Sequence, residues 1–293
     1  MHARSLLITG CSSGIGYYCA LAMKARDWRV FATARNPEDI ARLKSDGLEV
    51  LHLDYSEPKS VAACAEAALE ATGGRLYALF NNGAYGQPGA VEDIGPEVLR
   101  AQFEANVFGW HDLTRRLVPA MRANREGRIV QCSSVLGLVA LKWRGAYTAS
   151  KFAIEALSDT LRLELRGSGI YVSVIEPGPI RSRFNEHAVA HFKRNIDIKG
   201  SVHRERYEEM LARMEAMNAR HRWGYERPGE RRSRSLLPRY RLGPDAGFEK
   251  LLHAVESRNP RPHYHVTAGT RAMALARRML PARGLDLLAD RIP

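Results

Sequence analysis

Arg4-Ser-Leu-Leu-Ile-Thr-Gly-Cys-Ser-Ser-Gly-Ile-Gly16 decides the fold. Its first half is a short apolar run, its second half carries Gly10, Gly14 and Gly16, and Tyr17 to Arg26 after it reads as a helix. Strand, glycine turn and helix in that order form a phosphate-binding corner. Missing side chains let the backbone approach an anion, and the free N–H groups at the helix start attract it. Three glycines alone would also suit a plain tight turn; the strand before and the helix after select the nucleotide reading. Gly10, Ser12, Ser13, Gly14, Ile15 and Gly16 are the first candidate cofactor residues.

Working outward, Trp28 to Thr33 is expected as a second strand, followed by Ala34 and Arg35. At this place an acidic residue would accept from the free 2′-hydroxyl of NAD. A guanidinium instead suits a 2′-phosphate, so Arg35 favours NADP(H) over NAD(H). The alternative is that Arg35 merely extends off a strand end into water. Glu49 to Leu53 reads as a third strand with Asp54 at its tip, a candidate acceptor for the adenine amino group, and Pro58 to Thr72 reads as a helix. Leu76 to Phe80 is a fourth strand running into Asn81-Asn-Gly-Ala84, which adds Asn81, Asn82 and Gly83 to the cofactor set. Val98 to Met121 is expected as one long helix, in which Asn106 would by default be an unremarkable surface residue. Gly127 to Cys132 is the fifth strand, with Ser133 and Ser134 at its end. Tyr171 to Glu176 is the sixth, with the rigid turn Pro177-Gly-Pro-Ile-Arg-Ser182 after it. Pro177, Gly178, Ile180 and Ser182 of that turn complete the cofactor candidates. The alternation predicts an α/β fold, a doubly wound Rossmann domain whose ligands sit at the carboxyl ends of the strands.

Gly145-Ala-Tyr-Thr-Ala-Ser-Lys151 begins a helix continued by apolar Ile154, Leu157, Leu161 and Leu165. Tyr147 and Lys151 are four residues apart and so project from one face. A phenol ionises near pH 10, and a neighbouring ammonium would favour its phenolate, making Tyr147 a general acid/base. Such a pair also arises by accident, so its neighbours must decide. Here Ser134 lies thirteen residues before the tyrosine and the glycine turn opens the chain.

Beyond Phe184 the expected elements are a charged helix from about His203 to Arg220, a helix over Asp245 to Glu256, an edge strand over Pro262 to Val266 and a helix over Arg271 to Leu280. That gives a mostly parallel, seven-stranded sheet with a helical, basic C-terminal extension. We read residues 1–293 as a single domain, with 1–183 as cofactor and catalytic core and 184–293 as substrate lid, last helix and strand, and tail. The 293 residues are 45% hydrophobic, enough for a full core. Net charge is +12, half of it between Arg220 and Arg241, where eight Arg stand against two Glu. A solvated lid is the default for that segment; peripheral membrane contact through phospholipid headgroups, or an acyl-CoA-like anion, is the alternative, and nucleic acid is disfavoured for want of a matching module. Cys11, Cys19, Cys64 and Cys132 are scattered, indicating neither a disulfide framework nor a zinc site. No signal peptide or long apolar run is visible, so the expectation is cytoplasmic. His187 and His191 have a metal-like spacing but no third ligand, and no metal is expected.

The ordered set Thr9-Gly10-x-x-x-Gly14-x-Gly16, Asp54, Asn81-Asn82-Gly83-Ala84, Asn106, Ser134, Tyr147-x-x-x-Lys151 and Pro177-Gly178 resembles the short-chain dehydrogenase/reductase family across residues 3–183. The resemblance implies that Ser134 and Tyr147 hold the substrate oxygen and that Tyr147 passes the proton. It also implies that Lys151 binds the nicotinamide ribose and assists Tyr147, that Asn106 helps position a relay water, and that the chain is a homodimer or homotetramer. Two departures are small. Asn81-Asn-Gly-Ala84 exchanges two small residues of the usual order, and Ser182 stands where many relatives have Thr. The Ala34-Arg35 ending and extended C-terminal third are similar to the NADP-linked group of 17β-hydroxysteroid and retinol dehydrogenases and bacterial aldehyde reductases. That implies a lipophilic alcohol or carbonyl substrate. Tyr85, Val139, Leu141, Trp143, Phe184 and Trp223 are pocket candidates that read equally well as ordinary core or lid residues. The rival function is a catalytically silent NADPH-binding protein acting through its basic C-terminal third.

Overall fold

Strands covered by helices on both faces need apolar residues at nearly every position. Three strands here are buried along their whole length: β1 (Ser5–Ile8), β4 (Ala78–Asn81) and β5 (Gly127–Cys132). The computed structural model describes residues 4–220, 225–229 and 242–290. With β2 (Arg29–Ala34), β3 (Glu49–His52), β6 (Ile170–Glu176) and β7 (His263–His265), these strands form one seven-stranded sheet in the order β3-β2-β1-β4-β5-β6-β7. Every pairing is parallel. The chain winds outward from β1 in one direction, then returns and winds from β4 in the other. The crevice beyond the ends of β1 and β4 is therefore the switch point where such sheets bind ligands.

The helices are α1 (Gly14–Lys24), α2 (Pro37–Ser45), α3 (Pro58–Ala71), α4 (Pro96–Phe103), α5 (Gly109–Ala123), α6 (Gly145–Glu164), α7 (Phe184–Asn195), α8 (Arg204–Arg220), α9 (Asp245–Glu256), α10 (Ala268–Met279) and α11 (Ala282–Ala289). α1 packs against α9, and α3 against α5. α2 follows a start signal the sequence does carry, Asn36 before Pro37 at the first helical turn. The expected single helix over Val98 to Met121 is instead α4 and α5 joined by a π-helical turn, Glu104–Phe108. Among the described residues, no helix is long and apolar enough to cross a membrane.

The switch point is held shut by a buried polar hub. The Tyr55 hydroxyl lies 2.7 Å from both Thr9 Oγ1 and Asn81 Oδ1. Thr9 Oγ1 also accepts from the backbone N–H of Asn82 at 2.8 Å and of Gly83 at 3.1 Å. The ends of β1 and β4 are thus tied by side chains beyond the last ladder bond.

At the other edge, Glu176 closes β6 with 0% exposure. His263 of β7 bonds it through Nδ1 at 2.8 Å and Asp159 of α6 through Nε2 at 3.1 Å, while His265 meets its second oxygen. The hydrogen bond to Glu176 raises the His263 pKa from 6.5 to about 9. The native state therefore holds a proton that the unfolded chain has released. The resulting stability is fully present below pH 6.5 and is lost as pH rises through about 9. Urea midpoints of wild type and His263→Gln should accordingly converge between those limits; a constant gap would refute the assignment.

Candidate active site

α6 delivers Tyr147 and Lys151 to the same end of the sheet, one helical turn apart. Lys151 is only 1% exposed. Its Nζ donates to the carbonyl of Cys132 at 2.7 Å, where β5 ends, and lies 4.2 Å from the Trp110 ring centroid and 5.6 Å from that of Tyr147. Burial lowers its pKa from 10.5 to about 8, against opposing pulls from Cys132 and Glu155. Tyr147 packs edge-on against Phe184, centroids 5.3 Å apart. Burial raises the phenol well above its ordinary value; the Ser134 hydroxyl and the charge of Arg144 pull the other way. The net shift is upward, so the resting phenol is protonated, with Ser134 and Arg144 pulling it toward ionisation.

Ser134 follows β5 and lines the same cleft, its Oγ accepting from the backbone N–H of Leu136 at 3.1 Å. Asn106 is not the surface residue expected of a mid-helix amide. It lies in the π-helical turn with 0% exposure. Its Nδ2 donates to Tyr85 O at 2.9 Å and to Ser150 Oγ at 3.2 Å, and its Oδ1 accepts from Tyr85 N at 3.2 Å. Asn106 thereby clamps the loop after β4 to α6 beside Lys151. The extra residue of a π turn lets the amide face inward without breaking the helix.

The glycine turn packs directly on the loops around it. Gly10 has φ +67°, and a Cβ there would sit 2.3 Å from Gly83 Cα. A Cβ on Gly14 would lie 2.7 Å from Ser182 Cβ, and one on Gly16 2.4 Å from Gly10 O. Asn82 Nδ2 donates to the carbonyls of Thr9 and Gly10 at 3.0 and 3.2 Å, which fixes the turn in shape.

A cleft of about 1040 Å³ runs past Ser134, Tyr147, Lys151 and the glycine turn. That is at the upper end of small-molecule sites, roughly 300–1,000 Å³, and leaves room for a dinucleotide with a second ligand. Of the sequence candidates, Gly10, Ser12, Ser13, Gly14, Ile15, Arg35, Asp54, Asn82, Gly83, Ser134, Tyr147, Lys151, Pro177, Gly178, Ile180 and Ser182 line it. Gly16, Asn81 and Asn106 do not, each being turned into the packing beneath. Arg35, at the tip of β2, is 65% exposed in its side chain with Nη1 3.6 Å from Asp54 Oδ2. Sequence reasoning missed Arg42 of α2, which bonds Ser12 O at 2.6 Å and Asp39 at 2.8 Å and whose buried Nη1 has no hydrogen-bond partner among the described residues. The cleft thus offers a dinucleotide a glycine cradle at a helix start, two guanidinium groups at one end and a tyrosine–lysine pair at the other. These residues fit such a cofactor.

The proposed pocket residues divide. Tyr85, Leu141 and Phe184 line the cleft, Val139 faces a separate small cavity with Phe152 and Met273, and Trp143 packs on His203 and Tyr207. Trp223 and most of the Arg-rich segment 220–241 lie outside the described residues. Tyr225, which is described, covers the cofactor end: its ring lies 4.5 Å from the Arg42 guanidinium, and its hydroxyl accepts from Arg183 at 2.7 Å. His187 and His191 share α7, where His191 stacks on Tyr85 with centroids 4.2 Å apart and is bonded by Arg194 at 3.0 Å.

The short chain dehydrogenase family profile matches residues 4–192. The uncharacterized oxidoreductase YbbO of Escherichia coli is 41% identical over 283 residues, 97% of this chain and 93% of its own. 17-beta-hydroxysteroid dehydrogenase type 6 of Rattus norvegicus is 37% identical over 191 residues, 64% of this chain and 60% of its own. Among solved structures, a short-chain dehydrogenase from Streptomyces avermitilis superposes with a TM-score of 0.73 at 27% identity, covering 94% of this chain and 91% of that one.

Replacing Asn106 by Ala deletes its two hydrogen bonds with Tyr85 and its one with Ser150, each worth about 1 kcal/mol net. Asn106→Ala should therefore lose roughly 2–3 kcal/mol of unfolding free energy in urea. A loss below about 0.5 kcal/mol, the range of ordinary surface changes, would show that the clamp does not hold the loop.

Proposed function

This chain belongs to the short-chain dehydrogenase family of NAD(P)-dependent oxidoreductases, and on that premise we propose that it interconverts a lipophilic alcohol and its ketone or aldehyde using NADP(H). The observation that carries the reading is the convergence of Ser134, Tyr147 and Lys151 on one end of a cleft whose other end is a glycine turn flanked by Arg35 and Arg42. A bound nicotinamide supplies or accepts the hydride. Ser134 and Tyr147 hold the substrate oxygen between two hydroxyls, which polarises a carbonyl and lets Tyr147 deliver its proton as negative charge develops there. Tyr147 is the acid in the reductive direction and the base in the oxidative one.

Lys151, anchored to Cys132, places its cation beside the Tyr147 ring and favours the phenolate left after proton transfer. Asn106 is a positioning residue, since its amide is already engaged by Tyr85 and Ser150. For the cofactor, Arg35 would pair a 2′-phosphate, with Arg42 held beside it by Asp39 and Ser12. Leu136, Leu141, Tyr85 and Phe184 give the substrate end of the cleft its apolar walls.

Tyr147→Phe should lower turnover of an aldehyde by about 100-fold or more while NADPH still binds, as read by fluorescence titration. Near-normal turnover would remove the mechanism. Arg35→Ala should reduce the NADP/NAD preference in kcat/KM by about 10-fold or more, the worth of one lost charge-assisted contact. An unchanged preference would refute the 2′-phosphate assignment.

A further inference from the structure

Six cationic side chains line the catalytic cleft, and five of them are engaged. Arg35 faces Asp54 at 3.6 Å, Arg42 bonds Asp39 at 2.8 Å, Lys151 bonds Cys132 O at 2.7 Å and Arg183 bonds Glu186 at 2.7 Å. Arg194 bonds Asn195 at 3.1 Å and His191 at 3.0 Å. The exception is Arg144, three residues before Tyr147 and immediately before α6, whose guanidinium has no hydrogen-bond or ion-pair partner among the described residues.

The distribution of acids sharpens the contrast. The carboxylates lining the cleft are Glu38, Asp39 and Asp54, all at the adenosine end beside β2 and β3. None lies at the end where Tyr147, Leu141 and Phe184 meet. Arg144 is half-buried there, and burial pulls its pKa below the ordinary value, as expected of a guanidinium partly stripped of water. His191 on α7 is lowered to about 4, first by burial and then by the charge of Arg194, and so is neutral near pH 7. A half-buried, planar, five-donor cation without a protein acceptor calls for an anionic acceptor from outside, and a carboxylate matches its fork through two parallel hydrogen bonds.

We propose that Arg144 binds a carboxylate on the substrate, so that the lipophilic carbonyl compounds reduced here are oxo acids whose apolar spacer lies on Leu141 and Phe184. This rests on the oxidoreductase reading above and narrows its substrate class. Tyr147 addresses the carbonyl and Arg144 the acid, from adjacent positions on one helix start. The guanidinium also pulls the Tyr147 phenol toward ionisation, so its effect on the substrate is separated from its effect on the tyrosine by comparing acid with ester.

The test compares matched aldehydes with NADPH: 4-formylbenzoate against its methyl ester, and ω-oxo alkanoates against alkanals of equal length. Wild type should prefer the acid in at least one matched pair by about 10-fold or more in kcat/KM, the usual worth of a charge-assisted pair. Arg144→Met should bring that ratio to about one or below, and Arg144→Lys should retain part of it through its point charge. A ratio near one in wild type across the series overturns the proposal while leaving the oxidoreductase reading intact. Equal losses on acid and ester in Arg144→Met also overturn it, because they assign the cation to Tyr147 and not to the substrate. If no aldehyde is reduced at all, the oxidoreductase reading fails, and thermal shift of the NADPH-loaded protein by benzoate then decides. A shift lost in Arg144→Met supports the anion site, and no shift in wild type overturns it.

Discussion

The Lys151 ammonium, buried to 1% exposure, sets the terms for everything around it. An uncompensated charge at such depth costs several kcal/mol, so the fold must bring it an acceptor and a polarisable face. Both come from elsewhere: the carbonyl at the end of β5 and the indole at the start of α5. Placing them requires β5 to stop at Cys132, α6 to lie along the sheet, and α5 to begin where the π turn releases it. Trp110 in turn donates to Gly83 O at 2.7 Å, so the lysine's support also reaches the loop that closes over the glycine turn. The catalytic end and the nucleotide end are thus built on one connected set of contacts.

Strands, the glycine turn and α6 were readable because each carries a local pattern: apolar runs for buried parallel strands, closely spaced glycines at the turn, helix spacing behind Tyr147. What was not readable depends on partners far away in the chain. The π turn exists because Asn106 bonds residues 21 and 44 positions distant, and nothing in Val98 to Met121 announces them. Motif spacing likewise does not separate residues that face the cleft from those that let two elements touch. Gly16 and Asn81 belong to the second kind, Gly10 and Asn82 to the first. Arg42 and Arg144 were overlooked because an arginine's meaning lies in what stands opposite it, which is a property of the folded chain.

The sheet also sorts charge along the cleft. Acids follow β2 and β3, where Arg35 and Arg42 face them, and the mouth over these groups is covered by Tyr225. The far end has Arg144, immediately before α6, with no carboxylate lining it. The chain's overall excess of positive charge is therefore not spread evenly over its ligand site, and an elongated ligand entering it meets a field that differs from end to end.

The π turn at Glu104–Phe108 has a consequence for how the chain tolerates length changes. A π turn takes in one residue more than an α turn and hands the helix on in nearly the same phase, so the surplus is absorbed where it stands. A single-residue deletion there would regularise the hydrogen bonding locally and leave the indole of Trp110 beside the ammonium it shields. It would remove the widened turn from which Asn106 reaches Tyr85 and Ser150. The same deletion further on, inside α5, would rotate everything after it by about 100° with nothing to take up the difference.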